Sequence, residues 1–183
     1  MIHFTSDLHY FHKNVIRFDN RPFKDIEEMN YMLTNNINDC VAPSDELYIL
    51  GDFAFSDSGN VKKILSQYNC KNLHYVFGNH DKPMRQPDVA KFFKTMSEYK
   101  EIAYEGQRIV LHHYPYLEWN AGHYGSWALH GHCHHNLVYP DSLKNKKILD
   151  VGVCGEGYNY SPISFNFIKN YMKNKENIIH GNN

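Results

Sequence analysis

The sequence predicts an α/β fold in which short parallel strands alternate with helices. Two observations predict it: the first half repeats a strand–helix pattern, and each short apolar run there ends in a polar turn. A strand that returns through a helix to the next strand pairs with it in parallel. The chain has 183 residues, of which 42% are hydrophobic and 15% aromatic, enough for one core. We therefore predict a single domain over residues 1–175 and a frayed tail over 176–183.

The first half contains three predicted strands and two predicted helices. The strands are short apolar runs at residues 2–5, 46–50 and 73–77. The first helix begins at a capping box, in which Asp25 is the N-cap and Glu28 reaches back toward it. Its apolar face consists of Ile26, Met29, Leu33 and Ile37. The apolar face of the second helix consists of Val61, Ile64, Leu65 and Tyr68.

The second half has a different pattern, because it is predicted to begin with a hairpin. Residues 101–104 and 108–111 form the two strands of this hairpin around a turn at Glu105-Gly106. Further elements are predicted as strands at residues 127–130, 148–151 and 163–167 and as a helix at 167–175.

Composition excludes several classes of function. Lys and Arg number 19 against 20 Asp and Glu, so the chain lacks the positive charge of a protein that coats nucleic acid. It has no run of about 18 apolar residues that could span a membrane. Its first residues lack the basic start and apolar block of a signal peptide, so we expect a cytoplasmic protein. The 13 histidines are roughly three times the ordinary number and need a chemical explanation.

Polar side chains of the metal-binding type follow five of the predicted strands. In open α/β sheets, binding sites form outside the carboxyl ends of the strands, so these side chains predict one shared site. The sequences at the five strand ends are Asp7-Leu8-His9, Asp52, Asn79-His80-Asp81, His112-His113 and His130-Gly131-His132-Cys133-His134.

The spacing of these residues is compatible with two metal ions. In an extended chain, residues i and i+2 face the same way, so Asp7 and His9 can point at one site, and likewise His132 and His134. The ions of a hydrolytic pair lie about 3.5 to 4 Å apart, and Asp52 could bridge them. Imidazole, carboxylate and amide ligands suit Mn, Fe, Zn or Ni. With only two anionic ligands, such a centre keeps a positive charge that attracts a phosphate ester.

The ordered motifs resemble those of the calcineurin-like metallophosphoesterase superfamily. A single Asp-x-His or Gly-Asp is common, but the whole set in this order is specific, and it spans residues 7–134. The opening Ser6-Asp7-Leu8-His9 and the later His113-Tyr114-Pro115 are similar to those of small bacterial and phage members. The motifs are Asp7-x-His9, Gly51-Asp52, Gly78-Asn79-His80-Asp81, His113 and Gly131-His132-x-His134.

This resemblance implies a four-layer α/β/β/α sandwich with two central mixed sheets and a dimetal site at the carboxyl ends of the strands. It implies two divalent metal ions, with Mn favoured and Fe, Zn or Ni as alternatives. His80 would assist the leaving group while a metal-bridging hydroxide attacks phosphorus. One ion would be held by Asp7, His9, Asp52 and His134. The other ion would be held by Asp52, Asn79, His113 and His132.

Two positions need a choice or depart from the family pattern. His112 and His113 point to opposite sides of an extended chain, so only one of them is expected to be a ligand. We choose His113, because its His-Tyr-Pro run matches the small members better. Small members often have an Asp after the Gly-Val of a late strand, where this chain has Cys154.

The sequence after Asp52 argues against a protein phosphatase. The Ser/Thr phosphatases of the superfamily continue the Gly-Asp motif with a further Asp and Arg, which are absent here. Their absence also removes the usual carboxylate partner of the catalytic histidine. Asp57 and Asp81 are the candidates to replace that partner and orient His80. A non-catalytic scaffold on the same fold is the alternative function, although such relatives usually lose ligands that this chain keeps.

The predicted substrate is a small soluble phosphoester, either a mono- or a diester, with a nucleotide or a nucleic-acid end favoured. This preference rests on cations that could clamp a phosphate, although ordinary solvated surface is the alternative interpretation. It also rests on aromatic residues that could stack a base or belong to the core. The cations are Lys13, Arg17, Arg21 and Arg85. The aromatic residues are Tyr114, Tyr116, Trp119, Tyr124 and Trp127.

Overall fold

The computed structural model describes residues 1–179 and contains two β-sheets and five α-helices in that range. No helix in this part of the chain is long and apolar enough to cross a membrane. The strands are β1 (Ile2–Thr5), β2 (Glu46–Ile49), β3 (Leu73–Val76), β4 (Phe93–Ser97), β5 (Tyr99–Tyr104), β6 (Gln107–His112), β7 (Trp127–His130), β8 (Ile148–Asp150) and β9 (Ile163–Ser164). The helices are α1 (Lys13–Phe18), α2 (Ile26–Cys40), α3 (Ser58–Gln67), α4 (Pro87–Ala90) and α5 (Phe165–Met172). Short 3-10 turns occupy Pro83–Arg85 and Gly122–Tyr124.

Both sheets contain parallel and antiparallel strands. The first sheet has the order β4-β3-β2-β1-β9, in which neighbours from β1 to β4 are parallel and β9 is antiparallel to β1. The second sheet has the order β5-β6-β7-β8. The predicted hairpin forms its antiparallel edge, and β6, β7 and β8 run parallel. The prediction of an α/β fold with two mixed sheets is therefore confirmed.

The two sheets pack face to face through alternating apolar residues. Successive side chains of a strand point to opposite faces, so one set from each sheet meets in a shared core. Phe4, Tyr48 and Leu50 of the first sheet belong to the same buried cluster as Leu111, Trp127 and Leu129 of the second. The outer face of the first sheet packs against α2 and α3. A β-bridge between Ser6 and Gly152 joins the carboxyl ends of β1 and β8, so the ends of both sheets meet.

The outer face of the second sheet is covered by loops and by the last residues that the structure describes. The buried cluster on this face consists of Val110, Trp119, Ala128, Leu143, Ile148 and Ile178. Glu176 forms a β-bridge with Lys146, whose ammonium lies 2.9 Å from the Glu176 carboxylate. The prediction that the tail frays from residue 176 is therefore wrong as far as Ile178, because this apolar face needs a cover. Residues 180–183 of the predicted tail lie outside the described residues.

Local capping sets the boundaries of two helices. Asp25 accepts a hydrogen bond from the amide of Glu28 at 2.8 Å, and α2 begins where the capping box predicts. The strand predicted at 163–167 is only two residues long, because the hydroxyl of Ser164 accepts from the amide of Phe167 and starts α5 there. The helix predicted at 167–175 is thereby shifted to Phe165–Met172. The short elements α1, α4 and β4 were not predicted.

Ile178→Ala should lower the free energy of unfolding by about 2 kcal/mol, because truncating a buried isoleucine removes apolar contact and leaves a cavity. Ile178 is 8% exposed, whereas its neighbour Ile179 is 79% exposed. Ile179→Ala is therefore a matched control that should change stability by less than about 0.5 kcal/mol. Urea unfolding followed by circular dichroism measures both values. Equal stability of the two variants would contradict the packing of this segment.

Candidate metal centre

Five strands bring the seven predicted ligands to one place. The ligands that follow β1, β2, β3, β6 and β7 in turn are Asp7 and His9, Asp52, Asn79, His113, and His132 and His134. Five of the seven, all but Asn79 and His113, have a left-handed backbone with φ between 46° and 69°. This conformation costs a non-glycine residue roughly 1 kcal/mol or more. Such strain is concentrated at functional sites, where the chain must turn sharply to aim its side chains.

Glycines give the ligands room to approach one another. Gly51 has a φ of +89°, and a Cβ at this position would lie 2.5 Å from Nδ1 of His113. A Cβ at Gly131 would lie 1.9 Å from the hydroxyl of Ser6 and 2.6 Å from Oδ2 of Asp7. Only glycine fits at these two positions. The Gly-Asp and Gly-His motifs are therefore required by the close packing of the cluster.

The ligand atoms form two groups on either side of Asp52. In the first group, Nε2 of His134 lies 3.6 Å from Oδ1 of Asp7 and 3.2 Å from Nε2 of His9. In the second group, Nε2 of His113 lies 3.6 Å from Oδ2 of Asp52. The same Oδ2 atom lies 3.8 Å from Nε2 of His9. Asp52 therefore stands where a carboxylate shared by two ions would have to lie.

Hydrogen bonds on the far side of two histidines aim their lone pairs into the site. Nδ1 of His113 lies 2.7 Å from the carbonyl oxygen of Leu50, and Nδ1 of His134 lies 2.7 Å from Oδ2 of Asp19. Both partners are acceptors, so in the neutral rings Nδ1 carries the proton and donates it. The Nε2 atoms of the two rings then have free lone pairs, as in histidines that bind metals.

Three acceptor atoms converge in the second group. Oδ1 of Asn79 lies 3.0 Å from Nε2 of His113 and 3.0 Å from Nδ1 of His132. An unprotonated ring nitrogen and a carbonyl oxygen repel at this distance unless a proton or a metal ion lies between them. Imidazole, carboxylate and amide donors together form a ligand set that first-row divalent metals accept. The residues present therefore fit two divalent ions, one at each group.

Burial controls the charge state of the ligands. It raises the pKa of Asp7 to about 7, and the charge of nearby His134 lowers it only in part. It lowers the pKa of His9 well below the usual range, which keeps that ring neutral. Burial is the largest single influence on the pKa of Asp52 and acts to raise it, but the interactions with His113, with the amide of His80 and with His9 together outweigh burial and hold that pKa below its usual value. A divalent ion favours ionised carboxylates and neutral imidazoles, so it would remove the cost of burying Asp7.

His80 lies at the rim of the cluster with its side chain exposed. Its backbone amide donates to Oδ1 of Asp52 at 3.0 Å, and its ring centroid is 6.0 Å from that of His9. Both candidate carboxylate partners are hydrogen-bonded elsewhere, since Asp81 accepts from the amide of Asp52 and Asp57 caps α3. Within residues 1–179, no hydrogen bond to a protein group occupies the ring nitrogens of His80. They are open to the cavity above the cluster.

His113, and not His112, lies in the cluster. His113 is fully buried beside Asp52, whereas His112 is stacked on Tyr116 with 4.3 Å between ring centroids. His112 also accepts a hydrogen bond from the amide of Tyr114 at 3.2 Å. The two neighbouring histidines therefore face different surroundings, as the alternation of an extended chain predicts.

The aromatic residues proposed for base stacking divide between core and surface. Trp119 and Trp127 are buried in the apolar clusters and belong to the core. Tyr124 is 83% exposed and lines none of the cavities at the cluster. Tyr114 lies edge-on to a ligand, with its ring centroid 4.6 Å from that of His132.

The burial of Arg21 contradicts the substrate-binding role predicted for it from the sequence. Its guanidinium is fully buried and donates to the carbonyl oxygens of Asp7 and Leu8, each at 2.9 Å. It also pairs with Asp19 at 2.9 Å. Arg21 therefore supports the loop after β1, because these hydrogen bonds satisfy backbone groups that the left-handed turns leave without partners.

The other predicted cations lie around the site. Lys13 and Arg17 are exposed on α1, which lines the cavity above the cluster through other residues. Arg85 pairs with Glu98 at 2.7 Å and lines a neighbouring cavity that reaches Asn79. Of these three cations, Arg85 alone lines one of the cavities at the cluster.

Several residues at the site lie outside the sequence motifs that predict the ligands. The cavity above the cluster has a volume of about 500 Å³ and is lined in part by His12, Phe18 and Phe55. Asp19, which holds His134, lies outside every recognised motif. His12, Phe18 and Asp19 belong to α1 and its two ends, and a helix of six residues is too short to show a hydrophobic period.

The chain is similar to known proteins in sequence and in fold. The family model described as "Calcineurin-like phosphoesterase superfamily domain" matches residues 1–168. An uncharacterized protein of Methanocaldococcus jannaschii is 33% identical over 169 residues, which cover 91% of this chain and 88% of that protein. The Gene 66 protein of Mycobacterium phage L5 is 26% identical over 204 aligned residues, covering 96% of this chain and 97% of its own. The crystal structure of a protein of unknown function from Aquifex aeolicus has the same fold, with a TM-score of 0.72 and 24% identity over 93% of this chain and 98% of that one.

Asp19→Asn should weaken Mn²⁺ binding by about tenfold or more, because removing the support of a metal-binding histidine typically costs about 10- to 100-fold in affinity. Isothermal titration calorimetry of metal-stripped protein with MnCl₂ measures this change. Asp141→Asn is the control, since Asp141 is exposed and pairs with Lys144 away from the site. If both variants bind Mn²⁺ equally well, Asp19 does not position His134.

Proposed function

The chain belongs to the calcineurin-like phosphoesterase superfamily, and we propose that it hydrolyses phosphate mono- or diesters with two divalent metal ions. The observation that carries this proposal is the shared position of Asp52. Its Oδ2 lies 3.8 Å from Nε2 of His9 in one ligand group and 3.6 Å from Nε2 of His113 in the other. Two ions that share one carboxylate are close enough to act on the same phosphoryl group.

Each ion would be held by four side chains of mixed type. The first ion would be held by Asp7, His9, Asp52 and His134. The second ion would be held by Asp52, Asn79, His113 and His132. Nitrogen and oxygen ligands without thiolate suit Mn²⁺, which the family resemblance favours, and also Fe, Zn or Ni. When bound, the ions neutralise charge on the phosphoryl oxygens and activate the attacking water.

His80 is the residue that would act on the leaving group. Its exposed ring opens to the same cavity as Asp52 and Asn79. Its backbone is fixed against the cluster by the hydrogen bond to Oδ1 of Asp52 at 3.0 Å. An imidazole held in this way can give a proton to the leaving oxygen, or a hydrogen bond to the phosphoryl group, without first breaking a contact to the protein.

The proposed substrate is a small soluble phosphoester, with a nucleotide or a nucleic-acid end preferred. A cavity of about 500 Å³ has the size of ordinary small-molecule sites. Exposed Lys13 and Arg17 on α1 would attract further phosphate groups toward its rim. A net charge of -1 does not favour binding along a length of nucleic acid.

Metal-stripped protein should hydrolyse p-nitrophenyl phosphate or its bis ester only after Mn²⁺ is added. His80→Ala should lower kcat by about 100-fold and leave Mn²⁺ binding intact, because the variant can give neither a proton to the leaving oxygen nor a hydrogen bond to the phosphoryl group. Release of p-nitrophenolate measures the first effect and calorimetry with MnCl₂ measures the second. The faster ester shows whether monoesters or diesters are preferred.

His123→Ala is the control for this experiment, because His123 is exposed on the turn Gly122–Tyr124 and does not line the cavity. Its kcat should equal that of the unchanged protein. Full turnover in His80→Ala would remove His80 from the mechanism. A protein that binds no Mn²⁺ and hydrolyses neither ester would be a non-catalytic scaffold on the same fold.

A further inference from the structure

Two exposed phenylalanines stand at the mouth of the cavity above the cluster. Phe18 is 65% exposed and Phe55 is 54% exposed, and both line the same cavity as Asp52, Asn79 and His80. Exposed aromatic rings remain in contact with water, so they do not gain the favourable free energy of burying apolar surface. Large apolar groups that rim a polar site mark it as a binding surface, because a ligand that covers them recovers this free energy.

Both rings are attached to firmly held backbone. The amide of Phe55 donates to the carbonyl oxygen of Tyr10 at 2.8 Å. Phe18 ends α1, and the next residue, Asp19, accepts hydrogen bonds from Arg21 at 2.9 and 3.2 Å. Rings on a fixed backbone lose little conformational entropy when a ligand covers them, which makes them effective contacts.

The ring of His12 neighbours both phenylalanine rings. Its ring centroid is 4.6 Å from that of Phe55, edge to face, and 6.3 Å from that of Phe18. Its Nδ1 accepts the amide of Val15 at 2.9 Å as the cap of α1, so the proton of the neutral ring is on Nε2. The three rings therefore offer aromatic surface together with one hydrogen-bond donor.

The platform of His12, Phe18 and Phe55 adjoins the leaving-group side of the site. The ring centroid of Phe55 is 5.6 Å from that of His80, the residue proposed to protonate the leaving oxygen. A group that departs with that oxygen must therefore lie beside Phe55. Arg17 lies over the ring of Phe18 at 5.3 Å, which adds a cation to the edge of the platform.

We infer that this platform binds a flat aromatic leaving group, so that the substrate is a phosphoester of a nucleoside whose base lies on the rings. The inference rests on the proposed function, since it names the substrate class of the same site. Aromatic rings stack on every base through its π-face, and a ring nitrogen or carbonyl of the base can accept from Nε2 of His12. An aliphatic alcohol of the same size has no face to stack and would leave both phenylalanines partly exposed.

The double variant Phe18→Leu/Phe55→Leu tests this inference, because it keeps apolar side chains and removes the aromatic faces. In the Mn²⁺-loaded enzyme, kcat/KM for benzyl phosphate should fall about tenfold, whereas kcat/KM for cyclohexylmethyl phosphate should change by less than about twofold. The methyl diesters of the same alcohols replace these esters if diesters are the faster class. Phe167→Leu is the control, since Phe167 is 44% exposed on α5 and lines neither cavity at the cluster.

Adenosine binding to metal-stripped protein gives a second measurement that needs no turnover. Saturation-transfer NMR should detect the base protons on the unchanged protein and on Phe167→Leu, and a several-fold weaker signal on the double variant. An equal loss of kcat/KM for both esters, or adenosine signals that are absent or unchanged in the double variant, would overturn the platform. Adenosine signals that depend on the platform, without hydrolysis of any ester, would support the platform and reject the proposed function.

Discussion

The complete burial of the Asp7 carboxylate is the constraint on which the rest of the site depends. The carboxylate lies where the two sheets meet, and the amide of His132 donates to both of its oxygens at 3.1 and 3.0 Å. Arg21 donates to the backbone carbonyl oxygen of Asp7 at 2.9 Å. Burial makes this carboxylate costly to ionise, and nearby His134 offsets that cost only in part, so the pKa of Asp7 is raised to about 7. A divalent ion would supply the positive charge that this position lacks.

The left-handed backbone conformation at the strand ends is a further consequence of the close packing around Asp7. Asp7, Asp52 and His132 all have positive φ, and such residues persist only where the surrounding structure leaves no alternative. Asp81 provides part of that constraint, since its carboxylate accepts from the amides of Asp52 and Gly78 and joins the turns after β2 and β3. The apolar layers on both sides of the first sheet offset the strain, and ions that bind only the folded chain would add to its stability.

The residues that could be predicted from the sequence are those that directly follow strands. An apolar run is a local signal that predicts a strand. Asp52 and Asn79 each follow such a run, so the order of the strands is enough to place both residues in the site. Arg21 has no such signal, because a cation in a loop has the same local pattern whether its guanidinium is solvated or donates to carbonyl groups of the loop after β1. Ile178 likewise belongs to the same buried cluster as Trp119, which is far away in the sequence, and no local hydrophobic period predicts that packing.

The surroundings of Cys154 show how the support of a ligand can come from another part of the chain. The family resemblance places an Asp at this position in small members, yet here the thiol belongs to one close group with Asp19 and His134. Asp19 supplies the carboxylate instead, and the hydrogen bond from Nδ1 of His134 at 2.7 Å keeps Nε2 aimed at the first ligand group. Arg21 binds both Asp19 and the carbonyl of Asp7, so one buried ion pair positions two ligands together. Because Asp19 is the C-cap of α1, the same contact also fixes His12 and Phe18 of the aromatic platform relative to the predicted metal ligands.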